Sequence, residues 1–230
     1  MFNSSVIFAD RSDAGRRLAA ALATVKLEKP VVYALPRGGV PVAVEIAAAL
    51  TAPLDLVLVR KIGAPGAPEL ALGAVVDGPD PQVIINEDVR ASTGADDAYI
   101  ERTLKRELEE IERRRRLYFQ GLERVDPKGR TAIVVDDGLA TGATAKAAVR
   151  ALKRRGAGRV VLAVPVAPAE TLAELRREAD EVVCLNTPRW FFGVGGFYED
   201  FRQLDDKEVV TLLRQARATA GNGQPNPRGA

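Results

Sequence analysis

No histidine occurs anywhere in the 230 residues, and there is a single cysteine, Cys184. The missing imidazole removes the commonest general base and the commonest zinc ligand together, which excludes Ser-His-Asp and Cys-His hydrolases. One cysteine excludes an internal disulfide framework, and its apolar setting in "EVVCLN" reads as a buried structural thiol. A charge excess is lacking too. Thirty-three Lys and Arg against 31 Asp and Glu leave +2, too balanced to steer the chain to nucleic acid or to an anionic membrane. Nor is there a long apolar run: Val40 to Leu50 is broken by Glu45 and falls short of the roughly 20 residues that span a bilayer. Residues 1–10 hold no basic segment leading into an apolar one, so the expectation is a cytoplasmic chain with no membrane partner. What remains for chemistry is carboxylates, Lys, Arg, backbone amides and a hard metal such as Mg2+ on oxygen ligands.

The residues that are present alternate in kind along the chain. Five short, nearly continuous apolar runs read as buried strands: 31–35, 54–59, 131–135, 160–166 and 181–185. Between them lie helical patterns, one over Val40 to Leu50 and one after Thr141, where Ala145, Ala148, Val149 and Leu152 share a face and Gly156 stands ready to end the helix. Strand and helix in alternation predict an α/β protein with a central, mostly parallel sheet flanked by helices. Residues 72–89 break the rhythm with two β-like runs around an Asp-Gly-Pro-Asp-Pro turn, which predicts a hairpin. A charged helix follows over 98–118. Its Arg113 to Arg116 cluster points around the helix and suits a solvated face or a subunit contact better than a phosphate or RNA site. The Gly, Pro and Asn content from 216 to 230 predicts a disordered tail.

One stretch joins these elements to chemistry. In "AIVVDDGLATGATAKAA" (132–148) an apolar strand runs into Asp136 and Asp137, and a Thr-Gly-Ala-Thr turn opens the next helix. In an open parallel sheet, ligands bind beyond the carboxyl ends of the strands, which is where both aspartates fall. Gly138 and Gly142 permit a close turn, and Thr141 and Thr144 add hydroxyls to the free amides of a helix start, together a phosphate cradle. The plainer alternative is that Asp137 and Thr141 serve only as turn and capping residues.

"IVVDDGLATGAT" resembles the phosphoribosyl-diphosphate (PRPP) motif of type I phosphoribosyltransferases. The resemblance implies that Asp136 and Asp137 hold the ribose hydroxyls, directly or through Mg2+, the metal being held directly or through PRPP and water. It gives the 5-phosphate to Ala140, Thr141, Gly142, Ala143 and Thr144. "ALPRGGVPVA" (34–43) is similar to the family's pyrophosphate loop and implies that role for Arg37, Gly38 and Gly39. "VRKIGAPGAPELALG" (59–73) looks like the family's mobile catalytic loop. Its Gly and Pro density suits a loop, Arg60 and Lys61 offer charge to a polyanion, and a solvated turn is the alternative. A lid over 62–72 would then close during turnover. The chain ends, 8–22 and 187–201, resemble a bacterial subgroup described only as predicted phosphoribosyltransferases.

What the resemblance implies is one domain over residues 1–215, with a small hood from about 1–25 and 186–215. The expected enzyme is a glycosyltransferase of nucleotide metabolism that uses Mg2+ and works as a homodimer. It moves the 5-phosphoribosyl group from PRPP to an unidentified base-like small molecule, and no nucleic acid is involved. The alternative is a PRPP-binding regulatory protein without transferase activity. Where enzymes acting on 6-oxopurines carry an aspartate, this sequence has Ala140, closer to the adenine enzymes. Glu69 is then the candidate acid or base, with an ordinary exposed glutamate as the other reading. "PRWFFGVGGFYEDF" (188–201) gathers half of the chain's aromatic residues. They suit a stacking platform for a planar base, a small core under the hood or a dimer contact.

Overall fold

The computed structural model describes residues 7–78, 81–120 and 124–221. Helix α1 (Arg11–Leu22) leads to strand β1 (Val31–Ala34), helix α2 (Gly39–Leu50) and strand β2 (Leu54–Leu56). Strands β3 (Val59–Ala64), β4 (Ala67–Val76) and β5 (Gln82–Ile85) precede helices α3 (Glu87–Thr93) and α4 (Asp97–Tyr118). Strand β6 (Thr131–Val135), helix α5 (Ala143–Arg154), strand β7 (Arg159–Val166), helix α6 (Ala169–Leu175) and strand β8 (Glu181–Asn186) follow. A 3-10 turn (Val194–Phe197) and helix α7 (Asp206–Gly221) close the described chain.

Five strands form one sheet in the order β2-β1-β6-β7-β8, with every neighbouring pair parallel. Successive side chains of a strand face opposite ways, so each apolar run serves two cores. Val32, Ala34, Ile133, Val135, Val161 and Ala163 meet α1, α2, α4 and α7 on one face. Tyr33, Val134, Leu162 and Val164 meet α5 and α6 on the other. Burial on both faces is why these strands read as continuous apolar runs with no polar alternation. The helical face expected of α5 is as predicted: Ala145, Ala148, Val149 and Leu152 are all fully buried.

Two readings of the middle of the chain and one of its C-terminal part are revised. The run 54–59 is two strands, because the chain leaves the parallel sheet after Leu56; Val57 still donates its amide to the Ala34 carbonyl, and Leu58 accepts from the Asp77 amide. The stretch 59–73 is no irregular loop. It forms the β3-β4 hairpin of a second, antiparallel sheet ordered β3-β4-β5, in which β4 and β5 are the predicted hairpin. Ile62, Ala64 and Leu72 are buried there against Val89, Tyr99 and Ile100, so inward apolar positions outweigh the Gly and Pro content. That content serves the turn between the strands and a register shift at Gly63. Lastly, α7 runs through Gly221, so residues 216–221 of the expected tail are helical, and 222–230 lie outside the described residues.

The residues before α1 and the 194–201 segment meet at the sheet's carboxyl edge. Phe8 bridges to Tyr198, and the two rings pack 5.3 Å apart with Val194, Phe197 and Phe201 around them. Trp190 and Phe192 stay in solvent, 72% and 87% exposed, so the aromatic segment divides between a small core and free surface.

Candidate active site

The site begins where β6 runs out. Asp136 and Asp137 follow Val135 directly, and their side chains are only partly open to solvent. Asp10 caps α1, its carboxylate accepting the Asp13 amide at 2.7 Å, and this fixes the helix start so that Arg11 reaches across to β6. Arg11 Nε donates to Asp137 Oδ2 at 2.8 Å, and Arg11 Nη1 donates to the Arg202 carbonyl at 2.9 Å. The same guanidinium lies 4.0 Å from the centre of the Phe201 ring. Tyr198 completes the tie from the segment before α7, its hydroxyl donating to the Asp137 carbonyl at 2.6 Å.

These contacts set the electrostatics of the pair. Desolvation, joined by the neighbouring Asp137 charge, raises the Asp136 carboxyl well above the usual carboxylate range. Asp137 is also raised by desolvation, though Arg11 opposes the shift. Two carboxylates this close and this sheltered form a cation-attracting site.

The loop after β1 presses against them. A Cβ at position 38 would lie 2.0 Å from Asp137 Oδ2, so only glycine lets this backbone pass beside the carboxylate. The loop also contains a cis peptide between Pro36 and Arg37. Across the edge, Gly142 caps α5 with φ of 70°, the left-handed conformation that turns 140–142 back over the helix start. A Cβ there would meet Thr171 Cγ2 at 2.7 Å. Thr171 donates its hydroxyl to the Ala140 carbonyl at 2.7 Å and anchors the loop, while Ala140 and Thr141 stay exposed and Thr144 partly so. The first amides of α5 have no partner within the helix, and together with its dipole they suit a phosphate.

The structure thus brings Asp136, Asp137, Gly38 and Gly39 together, with the 140–144 loop at the same sheet edge. The basic residues are held elsewhere. Arg37 lies 3.8 Å from Asp206 of α7. Arg60 Nε donates to Glu107 of α4 at 2.8 Å, and Lys61 Nζ donates to Glu69 at 3.0 Å. The Glu69 side chain is 97% exposed, which favours the ordinary surface glutamate over an acid or base. Arg11 and Tyr198 are the members that sequence reasoning missed; the only sign was a capped helix start at Asp10 and the aromatic stretch near 198.

A family model of the phosphoribosyl transferase domain matches residues 9–202. The chain belongs to this family. Its central parallel sheet of five strands flanked by helices is accordingly a type I phosphoribosyltransferase fold. Two Mycobacterium tuberculosis relatives, from strains CDC 1551 and H37Rv, each named "Putative phosphoribosyl transferase", are 49% identical over 210 residues. That match covers 91% of this chain but 47% of each relative, so the chain spans about half the length of the curated relatives it matches. The crystal structure of TT1426 from Thermus thermophilus is 44% identical, with a TM-score of 0.79 over 91% of this phosphoribosyltransferase-family chain and 98% of that one. No helix among the described residues is long and apolar enough to cross a membrane.

Proposed function

We propose that this chain transfers the 5-phosphoribosyl group from PRPP to a nitrogenous base or related acceptor and releases pyrophosphate with the help of Mg2+. The observation that carries the reading is the fit of Gly38 against Asp137: a backbone loop and a carboxylate meet at a distance that excludes any side chain, beside a helix start suited to phosphate. In this reading Asp136 and Asp137 take the ribose hydroxyls. Ala140, Thr141, Gly142, Ala143 and Thr144 wrap the 5-phosphate, and the amides of Gly38 and Gly39 approach the pyrophosphate. No group of three or more His, Cys, Asp or Glu able to hold a metal occurs among the described residues. Two carboxylates still fit Mg2+, which is often held by one or two carboxylates, waters and substrate phosphates. When bound, the ion would neutralise the departing pyrophosphate. Arg37, Arg60 and Lys61 would share that task after leaving Asp206, Glu107 and Glu69. The partners are PRPP, a base-like small molecule and a second copy of the chain, in the cytoplasm, within one domain over 1–215.

The engagement of all three cations with carboxylates favours a second reading, a PRPP-binding regulatory protein without transfer. A PRPP thermal-shift titration with and without Mg2+, on wild type and Asp137→Asn, tests the site. Ligand at 100 times its dissociation constant stabilises by about 2.7 kcal/mol. Failure of wild type to shift sinks the PRPP site altogether. Pyrophosphate release across a panel of bases then separates transfer from binding alone.

A further inference from the structure

Helix α4 presents one long flank to solvent, and the charges along it are arranged with a symmetry of their own. Leu104 and Leu108 are half-buried at its centre, packed on the core beneath and open on the outer side, where the shallow surface is lined among the described residues by α4 alone. Along the rim, in chain order, stand Glu101, Lys105, Glu112 and Arg116, all exposed. Their spacing of four, seven and four residues keeps them on one face of the helix. The signs read minus, plus, then minus, plus on either side of Leu108.

Such a pattern pairs with itself in one direction only. Two copies of α4 laid antiparallel about a twofold axis between Leu108 and Glu109 bring Glu101 opposite Arg116 and Lys105 opposite Glu112. Each pair occurs twice, because the contact is made by the same surface on both chains. Glu109, exposed on the same surface and one residue from the axis, faces its own copy, a like-charge contact that Lys105 of the second copy, within one helical turn, offsets. A parallel arrangement sets every charge against its own kind, which costs stability and fixes the direction. The local partners are loose and lie within the helix: among the described residues Arg116 and Arg115 share Glu112 at 3.5 and 3.7 Å, whereas Arg113 and Arg114 turn to Glu110, and Arg113 also to Asp206 of α7.

We infer that the exposed flank of α4 is a homodimer interface, in which two α4 helices pack antiparallel through Leu104 and Leu108 and are held in register by Glu101–Arg116 and Lys105–Glu112 ion pairs between chains. The occupant is a second copy of this chain, chosen by charge complementarity, and the inference stands independently of the transfer reading. Rim charges of this kind set register and partner choice, and their effect falls with added salt.

Sedimentation equilibrium of the full chain over a concentration series, at low and high salt, is the test. Wild type is expected at twice 24.7 kDa. Lys105→Glu or Glu112→Lys alone sets like charges opposite each other at two places, and each is expected to weaken the dimer by about tenfold or more. The double variant Lys105→Glu/Glu112→Lys restores the pair with signs exchanged and is expected to recover the dimer. These positions are exposed, and unchanged circular dichroism spectra identify the single variants as folded. As a second measurement, zero-length carbodiimide cross-linking of wild type is expected to join Lys105 to Glu112. Within one helix those positions are about 10 Å apart along the axis, too far for a direct amide, so that product reports contact between chains. A monomeric wild type, a dimer indifferent to either single reversal, a double variant that stays monomeric, or the absence of the cross-link in a dimeric sample each overturns the interface.

Discussion

Arg11 Nε and Asp137 Oδ2 lie 2.8 Å apart, although 126 positions separate the two residues in the chain. The contact fastens the first turn of α1 to the end of β6, and the stacking of the guanidinium on Phe201 extends it to the other end of the fold. Removal of the arginine leaves a sheltered carboxylate without its cation. With the two side chains 10% and 14% exposed, Arg11→Ala is expected to cost about 2–3 kcal/mol, below the range for fully buried pairs. Asp137→Asn in the same chain should recover part of that loss. Denaturant unfolding of both single variants and the double variant checks the coupling, and strictly additive losses would contradict it.

The raised Asp136 carboxyl makes stability depend on pH. A carboxyl whose folded pKa exceeds its unfolded value favours the fold when protonated, so its contribution is complete below the unfolded pKa and is lost as pH rises through the folded one. Asp136→Asn is therefore expected to melt higher than wild type at about pH 8, with the gap narrowing towards about pH 4. Thermal melts across that range, without PRPP or metal, decide it; a gap that does not change with pH counts against the sheltered, protonatable pair.

Gly38→Ala tests the loop that passes beside Asp137. Its new Cβ would lie 2.0 Å from the carboxylate oxygen, so the loop or the aspartate must move. Loss of at least about tenfold in PRPP affinity is expected, equivalent to about 1.4 kcal/mol. Calorimetric titration with PRPP and Mg2+ reads it, and an unaltered affinity would detach the loop from the ligand.

Arg60 sits on a strand and is paired with Glu107, whose side chain is 6% exposed. If Arg60 leaves that partner to neutralise pyrophosphate in the transition state, Arg60→Ala should lower kcat by about tenfold to a hundredfold while PRPP affinity changes little. Steady-state kinetics with the acceptor found by the base panel separates the two parameters. A raised KM for PRPP with kcat unchanged would instead assign Arg60 to ground-state binding.

How much of this was legible beforehand varied with the range of the interactions. Thr131 to Val135 and the face of α5 were readable because burial on both sides of a parallel sheet leaves a continuous apolar run, and a packed helix leaves its own period. The aspartate pair and the Thr-Gly-Ala-Thr turn were readable because they are contiguous. The hairpin over 59–73 was misjudged since Gly and Pro speak for local freedom, whereas the packing of Ile62 and Leu72 on α3 and α4 comes from residues far along the chain.

By itself the sequence determined the parallel α/β plan, the strand that ends in Asp136 and Asp137, and the glycine turn into α5 that follows, all of which depend on neighbours within a few positions. Only the tertiary structure decided that Arg11 and Tyr198 close on Asp137, that Gly38 passes beside its carboxylate, and that Arg37, Arg60 and Lys61 are each held by an acidic partner. Side-chain periodicity records which face of an element is buried but not which distant charge will lie opposite it, because that choice is made when the layers pack.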